Sequence, residues 1–193
     1  MPFGSKGVRK PVLGALLSCA LALAGCMPGA DLPPLPDYLA QSYRLGGGDQ
    51  IRIIVFGEDQ LTGEFRVDDQ GMIAIPLLGE VHAASLTTQE LGNQIGAELK
   101  RRKLLSDPSV SVEVLSYRPI FVLGEVSRPG QYPYAPGMTM LTVVAVAGGF
   151  TYRAVEDYAS DVRTASGVAT EGLITPKSFI APGDVIKVFE RRF

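Results

Sequence analysis

Short apolar blocks alternate with polar ones through most of the chain, and glycine or proline separates nearly every pair of blocks. Such blocks read as strands when they are four to eight residues long and bounded by turn residues. Gln50–Phe56 is rich in Ile and Val and predicts a strand. Glu64–Val67 and Met72–Ile75 flank Asp68-Asp69-Gln70-Gly71, which predicts a hairpin because Gly71 can take a positive φ. Pro76–Val81 predicts a further short strand. Val110, Val112 and Val114 alternate with Ser111 and Glu113, the pattern of a half-buried strand. Ile120–Val126 and Asp184–Phe189 predict two more, with Pro129-Gly130 as a turn between them.

Two segments carry helical signals instead. Thr87 and Glu90 have the capping-box spacing, in which each side chain satisfies the other residue's exposed N–H. Leu86 and Leu91 occupy the staple positions around that cap, and Leu91, Ile95 and Leu99 form one apolar stripe. Lys100, Arg101, Arg102 and Lys103 follow, where cations complement the helix dipole. A second, shorter helix is expected from Thr139 through Ala147, stopped by Gly148 and Gly149. Its run Leu141–Ala147 is apolar on nearly every side and predicts complete burial, within its own core or against a neighbouring subunit.

The remaining apolar run, Val12–Ala24, follows Lys6, Arg9 and Lys10 and has the layout of a secretory leader. At 13 residues it is shorter than the roughly 20 that a spanning helix needs. It ends in Leu23-Ala24-Gly25-Cys26, which looks like a bacterial lipobox. On this reading residues 1–25 are a cleaved signal peptide, and Cys26 becomes a lipidated N-terminus. Cys19, after Leu16-Leu17-Ser18, is a degenerate rival with bulky Leu17 where a small residue is preferred. Met27, rather than an Asp, follows Cys26, and the resemblance to lipoprotein sorting signals then implies the outer membrane. Residues 26–42 read as an extended tether, with Pro28, Pro33, Pro34 and Pro36 close together.

Composition narrows the chemistry. Beyond the leader, 168 residues remain, with 15 basic and 20 acidic side chains and a net charge of −5, which argues against a nucleic-acid binder. With Cys19 removed and Cys26 lipidated, no thiol remains for a disulfide or a thiolate metal site. His82 is the sole histidine, and Asp68-Asp69 is explained by a hairpin tip. Gly46-Gly47-Gly48 lacks the Lys-Ser/Thr of a phosphate loop. The basic run Lys100–Lys103 reads as a solvated helix end. No catalytic, cofactor-binding or metal-ligating residue is assigned, and Cys26 is the single site residue.

Two segments echo each other. Leu78-Gly79-Glu80-Val81 returns as Leu123-Gly124-Glu125-Val126, and Gly48-Asp49-Gln50-Ile51-Arg52-Ile53 as Gly183-Asp184-Val185-Ile186-Lys187-Val188. The expected fold class is α+β. Two small, related sheet-and-helix modules follow the signal peptide, the second β-grasp-like.

Several ordered motifs carry a family resemblance. Tyr43-Arg44-Leu45-Gly46-Gly47-Gly48-Asp49, Gly63–Asp68 and Ile75–Val81 resemble the polysaccharide export domain. Tyr117-Arg118-Pro119, Gly124-Glu125-Val126, Pro129–Tyr134 and Ala147–Ala154 resemble the soluble-ligand-binding β-grasp domain that follows it. The chain thus resembles outer-membrane lipoproteins of the Wza and xanthan-export type. The resemblance implies an export domain over 43–117 and a β-grasp domain over 118–193. It also implies a homo-oligomeric ring, commonly an octamer, that conducts capsular polysaccharide or exopolysaccharide without catalysis. The implied partners are the polysaccharide, an inner-membrane polysaccharide co-polymerase and the membrane itself through the lipid on Cys26. Larger members carry a C-terminal amphipathic helix that builds the pore, and no residues are expected for it after Arg191-Arg192-Phe193. An outer-membrane barrel is then a further expected partner. The alternatives are a monomeric saccharide-binding lipoprotein and a structural adaptor to such a barrel.

Overall fold

The computed structural model describes residues 27–36, 38, 43–165 and 167–191. The leader, Cys19 and the expected lipidation site Cys26 lie outside the described residues.

Alternation along β1 (Gln50–Val55) turns Ile51, Ile53 and Val55 inward and leaves Gln50, Arg52 and Ile54 exposed. This strand pairs antiparallel with β2 (Gly63–Arg66) on one side and with β5 (Val110–Ser116) on the other. Helix α1 (Thr88–Arg101) begins at the expected capping box: Thr87 Oγ1 accepts from Glu90 N–H, and Glu90 Oε2 accepts from Thr87 N–H at 2.8 Å. Its stripe Leu91, Ile95 and Leu99 is fully buried, each residue contributing roughly 1.5–3 kcal/mol. Gly92 lets the helix approach β5, since a Cβ there would stand 3.2 Å from the carbonyl oxygen of Val110.

The expected hairpin between Glu64–Val67 and Met72–Ile75 does not form. The turn itself does: Asp68 N–H donates to Met72 O, and Gly71 takes φ 81°. The strands after it part company, however. β2 stays with β1, while β3 (Met72–Ile75) pairs with β4 (Gly79–His82) in a separate two-stranded sheet. A turn sequence specifies a reversal, and register with neighbouring strands decides which edges meet.

The second module is a five-stranded sheet. Its strands are β6 (Ile120–Gly124), β7 (Gly130–Tyr132), β8 (Ala154–Ala165), β9 (Val168–Ile174) and β10 (Val185–Glu190), in the order β7-β6-β10-β8-β9. Its central pair, β6 and β10, is parallel and all other pairs are antiparallel, with helix α2 (Met140–Val146) between β7 and β8 in sequence. This is a β-grasp arrangement, and the fold class is α+β. Ile120, Val122, Ile186 and Val188 meet Met140, Val143, Val144 and Ala147 in its core. Gly130 opens a strand rather than only a turn, and β8 and β9 were not foreseen. β8 buries Ser160 and Asp161 beside Ala159, so it lacks the apolar alternation that marks a strand.

Three further expectations are corrected. Leu141–Ala147 is not completely buried within its own core: Leu141 is 53% and Val146 41% exposed in the single chain, because only one side of the short helix faces the sheet. The sequence echoes are not a duplicated topology. Gly-Asp leads into the first strand of the first sheet and into the last strand of the second, and β1–β5 is antiparallel where β6–β10 is parallel. The tether is not a free spacer along its described length, because Leu35 and Pro33 bond to Leu173 of β9. Among the described residues no helix is long and apolar enough to cross a membrane, which says nothing of strands.

Candidate functional site: the junction cleft

Chemistry concentrates where the two modules meet, and it starts from two turns of the same kind. In each, a glycine at positive φ (Gly48, 95°; Gly183, 89°) precedes a buried aspartate. Asp49 Oδ2 accepts from the N–H of Gly46 at 2.9 Å, and Asp184 Oδ2 accepts from the N–H of Ala181 at 2.7 Å. Each carboxylate is thus held by the backbone three residues before it, and each faces an arginine.

Arg118 serves the first turn. Its N–H donates to Asp49 Oδ1 at 2.8 Å, its Nη1 lies 3.6 Å from Asp49 Oδ2, and its Nε donates to Pro182 O at 2.8 Å. One residue therefore bonds the first turn of the export-like module and the last turn of the β-grasp module. Tyr43 Oη donates to the same Asp49 Oδ2 at 2.5 Å. Burial and that hydrogen bond raise the phenol well above its ordinary value.

Arg163 serves the second turn. Its Nη2 lies 2.9 Å from Asp184 Oδ2 and 3.0 Å from Asp161 Oδ2, with further bonds to Phe179 O and Pro36 O. Asp161 is fully buried, and its Oδ1 has no hydrogen-bond partner among the described residues. Burial, and then the neighbouring charge of Asp184, push its carboxyl up to about 8, against the pull of Arg163. Two carboxylates around one guanidinium leave an excess negative charge in a dry place, and a proton on Asp161 removes it.

Aromatic rings fill the space between these clusters. Tyr43 meets Tyr117 edge-on at 4.8 Å between centroids, and Tyr117 meets Tyr134 at 5.5 Å. The guanidinium of Arg118 lies 5.9 Å from the Tyr43 ring centre and that of Arg163 5.5 Å from Tyr38, within the range of cation–π attraction. Tyr38, Tyr43, Tyr117 and Tyr134 line a pocket of about 110 Å³ beside an open cleft of about 870 Å³. Arg44, Arg118 and Arg163 reach the wall of the larger space. The cleft is of the size of small-molecule sites. It offers aromatic faces and hydrogen-bonding rims, the groups that hold a polyhydroxylated ring. Among the described residues no three His, Cys, Asp or Glu side chains converge to hold a metal ion.

Residues weighed from the sequence fall elsewhere. His82 is exposed on β4. Asp68 caps its own turn, accepting from the N–H groups of Gln70 and Met72. Gly46-Gly47-Gly48 is a tight turn, but it sits on the cleft wall through Gly46 and Gly47. In Lys100–Lys103 all four side chains are exposed, and Arg101 and Arg102 both bond Glu98, holding its carboxyl down at about 2. Sequence reasoning missed the cleft. Its one available signal was the Gly-Asp echo, which marked Asp49 and Asp184, whereas the tyrosines come from three separated stretches of sequence.

Comparison with known proteins agrees with the two modules. A model of the polysaccharide biosynthesis/export protein family matches residues 37–115, and a model of the SLBB domain matches 119–161. The structural module goes further than that second match, through β9 and β10. The exopolysaccharide production protein ExoF of Rhizobium meliloti is 36% identical over 121 residues, covering 57% of this chain and 29% of its own. The EPS I polysaccharide export outer membrane protein EpsA of Ralstonia nicotianae is 26% identical over 200 residues, covering 84% of this chain and 51% of its own. The polysialic acid transport protein KpsD of Escherichia coli is 28% identical over 123 residues, covering 63% and 21%. The chain spans about half the length, or less, of these curated relatives. With both domain matches in order on one α+β chain, this protein belongs to the polysaccharide export family.

Proposed function

We propose that this chain is an outer-membrane lipoprotein of a polysaccharide export machine, held by a lipid on Cys26 and facing the periplasm. Its copies assemble into a ring, an octamer on the family pattern, that conducts capsular polysaccharide or exopolysaccharide. An inner-membrane co-polymerase delivers the polymer, and an outer-membrane barrel continues the path. Conduction is passive: the lining offers many weak, exchangeable hydrogen bonds, and synthesis supplies the drive. The two domains span 43–117 and 118–193 and meet at Arg118.

The observation that carries this reading is the export domain followed by the SLBB domain in one chain. Support for the domain division comes from two separate hydrophobic cores, one drawn from Leu45–Leu99 and one from Ile120–Val188. Support for a ring comes from Leu141 and Val146, large apolar side chains left exposed on α2. Deleting the gene should abolish polymer secretion while polymer synthesis continues, and unchanged secretion overturns the reading. Native mass measurement of the detergent-extracted protein should give a closed multiple of the subunit. A monomer at working concentration overturns the ring and leaves a saccharide-binding lipoprotein.

A further inference from the structure

The junction cleft has two compartments of unlike chemistry. The inner one, about 110 Å³, is walled by the four tyrosines with Pro136, Phe179 and Ile180, and its surface is mostly apolar. Its rings are held in place before anything enters. Tyr43 Oη donates to Asp49 and accepts from Arg118 Nη1 at 3.2 Å. Tyr117 stands edge-on between Tyr43 and Tyr134. A pocket fixed in this way loses little side-chain freedom when it is filled. An apolar cavity of about 150 Å³ holds a benzene ring. This one therefore takes a smaller group, of the size of an acetyl.

The outer compartment is open and polar. Gly46, Gly47, Asp69 and Ser85 face it from the export domain, and Thr164 and Thr170 of the β8–β9 hairpin face it from the other module. Tyr38 and Tyr43 line both spaces, so a group seated in the outer one can reach into the inner. Charge narrows the guest further. Arg118 is paired with Asp49, Arg163 with Asp161 and Asp184, and Arg44 with Glu90. The cations on the wall are thus already neutralised, while Asp69 adds a negative charge. A uronate or a phosphate gains nothing there, and a neutral polyhydroxylated ring finds hydroxyls, main-chain groups and a carboxylate to bond.

We propose that the junction cleft binds a neutral, acetyl-bearing sugar residue of the exported polymer, with the sugar ring in the outer compartment and the acetyl methyl in the tyrosine pocket. The inference rests on the export reading for the source of that sugar. The pocket supplies the selectivity. A plain hydroxyl pushed into it would be buried without a partner, which is unfavourable, whereas a methyl group loses nothing. One methyl-sized difference in an apolar pocket changes affinity by about tenfold or more. The rim bonds exchange readily with water, so the hold stays weak enough for a polymer to move on.

The test uses the full-length protein in detergent. The chain has no tryptophan, and four of its seven tyrosines line the pocket, so intrinsic fluorescence reports its filling. N-acetylglucosamine and N-acetylgalactosamine are titrated beside glucose, galactose and glucuronic acid. At least one acetylated sugar should give a saturable change, with its unsubstituted parent binding about tenfold more weakly or worse. Equal affinity for sugar and parent, tighter binding of glucuronic acid, or no saturable response to either acetylated sugar overturns the proposal. Tyr117→Ala opens the pocket and should weaken binding at least about tenfold. Phe179→Ala should do the same from a side chain already 44% exposed, so the fold does not depend on it. Tyr152→Ala, outside the cleft, should leave affinity unchanged. Affinity that survives both pocket changes overturns the location. Secretion is read separately in the gene deletion. Secretion lost there while the purified protein binds no acetylated sugar overturns this site and leaves the export reading. Secretion unchanged while the sugar binds overturns the export reading and leaves a saccharide-binding lipoprotein.

Discussion

Asp161 keeps a proton in the folded protein that it gives up on unfolding. Its carboxyl is raised from 3.8 to about 8 by burial first and by Asp184 next. Between those values the folded state binds one more proton than the unfolded state at this residue, so stability falls as pH rises. Its contribution is fully present below about 4 and lost by the time pH has passed 8. Asp161→Asn should flatten this part of the profile, raising Tm relative to the parent at pH 8 more than at pH 5; a constant difference across that window contradicts the assignment. Three donors converge on the carboxylate of Asp49. Asp49→Ala strands those donors and the Arg118 guanidinium, and should cost about 3–5 kcal/mol in urea unfolding. At this scale the sequence was only partly legible. The repeated Gly-Asp pointed at Asp49 and Asp184, but their partners Arg118 and Arg163 lie 69 and 21 residues away, beyond any local pattern.

Elements were most legible where the signal is local. The capping box at Thr87 and Glu90, the stripe Leu91–Ile95–Leu99 and the strand β1 needed nothing beyond their own spacing. Thr87→Ala should cost about 1 kcal/mol by chemical denaturation, since it removes the acceptor for Glu90 N–H. Gly124 ends β6 at φ 83°, and a Cβ there would run into the carbonyl oxygen of Val188 on β10. Gly124→Ala should therefore destabilise the SLBB sheet by about 2 kcal/mol or more, well beyond a surface Gly→Ala change. β8 and the partner of β2 were illegible because both depend on distant pairing. β8 buries an aspartate whose partner Arg163 and whose raised carboxyl come from the fold, and β2 pairs backwards to β1 instead of forwards across its turn.

For the whole molecule, the family motifs were legible because they mark tight turns that fix both modules, and the cleft was not because folding assembles it from both. The short helix α2 carries the next test. Leu141 and Val146 face outward while Met140, Val143 and Val144 hold the helix to the sheet. Leu141→Glu with Val146→Glu should leave the unfolding free energy within about 1 kcal/mol of the parent's, as exposed positions do, and should turn the proposed ring into monomers in native mass spectra. Assembly that persists would place the subunit contact on another face.

Arg118 also bears on how such proteins exchange parts. Although numbered with the second module, its main-chain N–H and side chain hold the Asp49 turn of the first, while its Nε holds Pro182 of the second. A chimera cut between Tyr117 and Arg118 therefore does not separate two independent units. A foreign SLBB domain would graft cleanly only if it supplied an arginine at its own entrance and a carbonyl at the turn before its last strand. Otherwise the transplanted halves would lose the bonds that tie the Asp49 turn to the turn before the last strand.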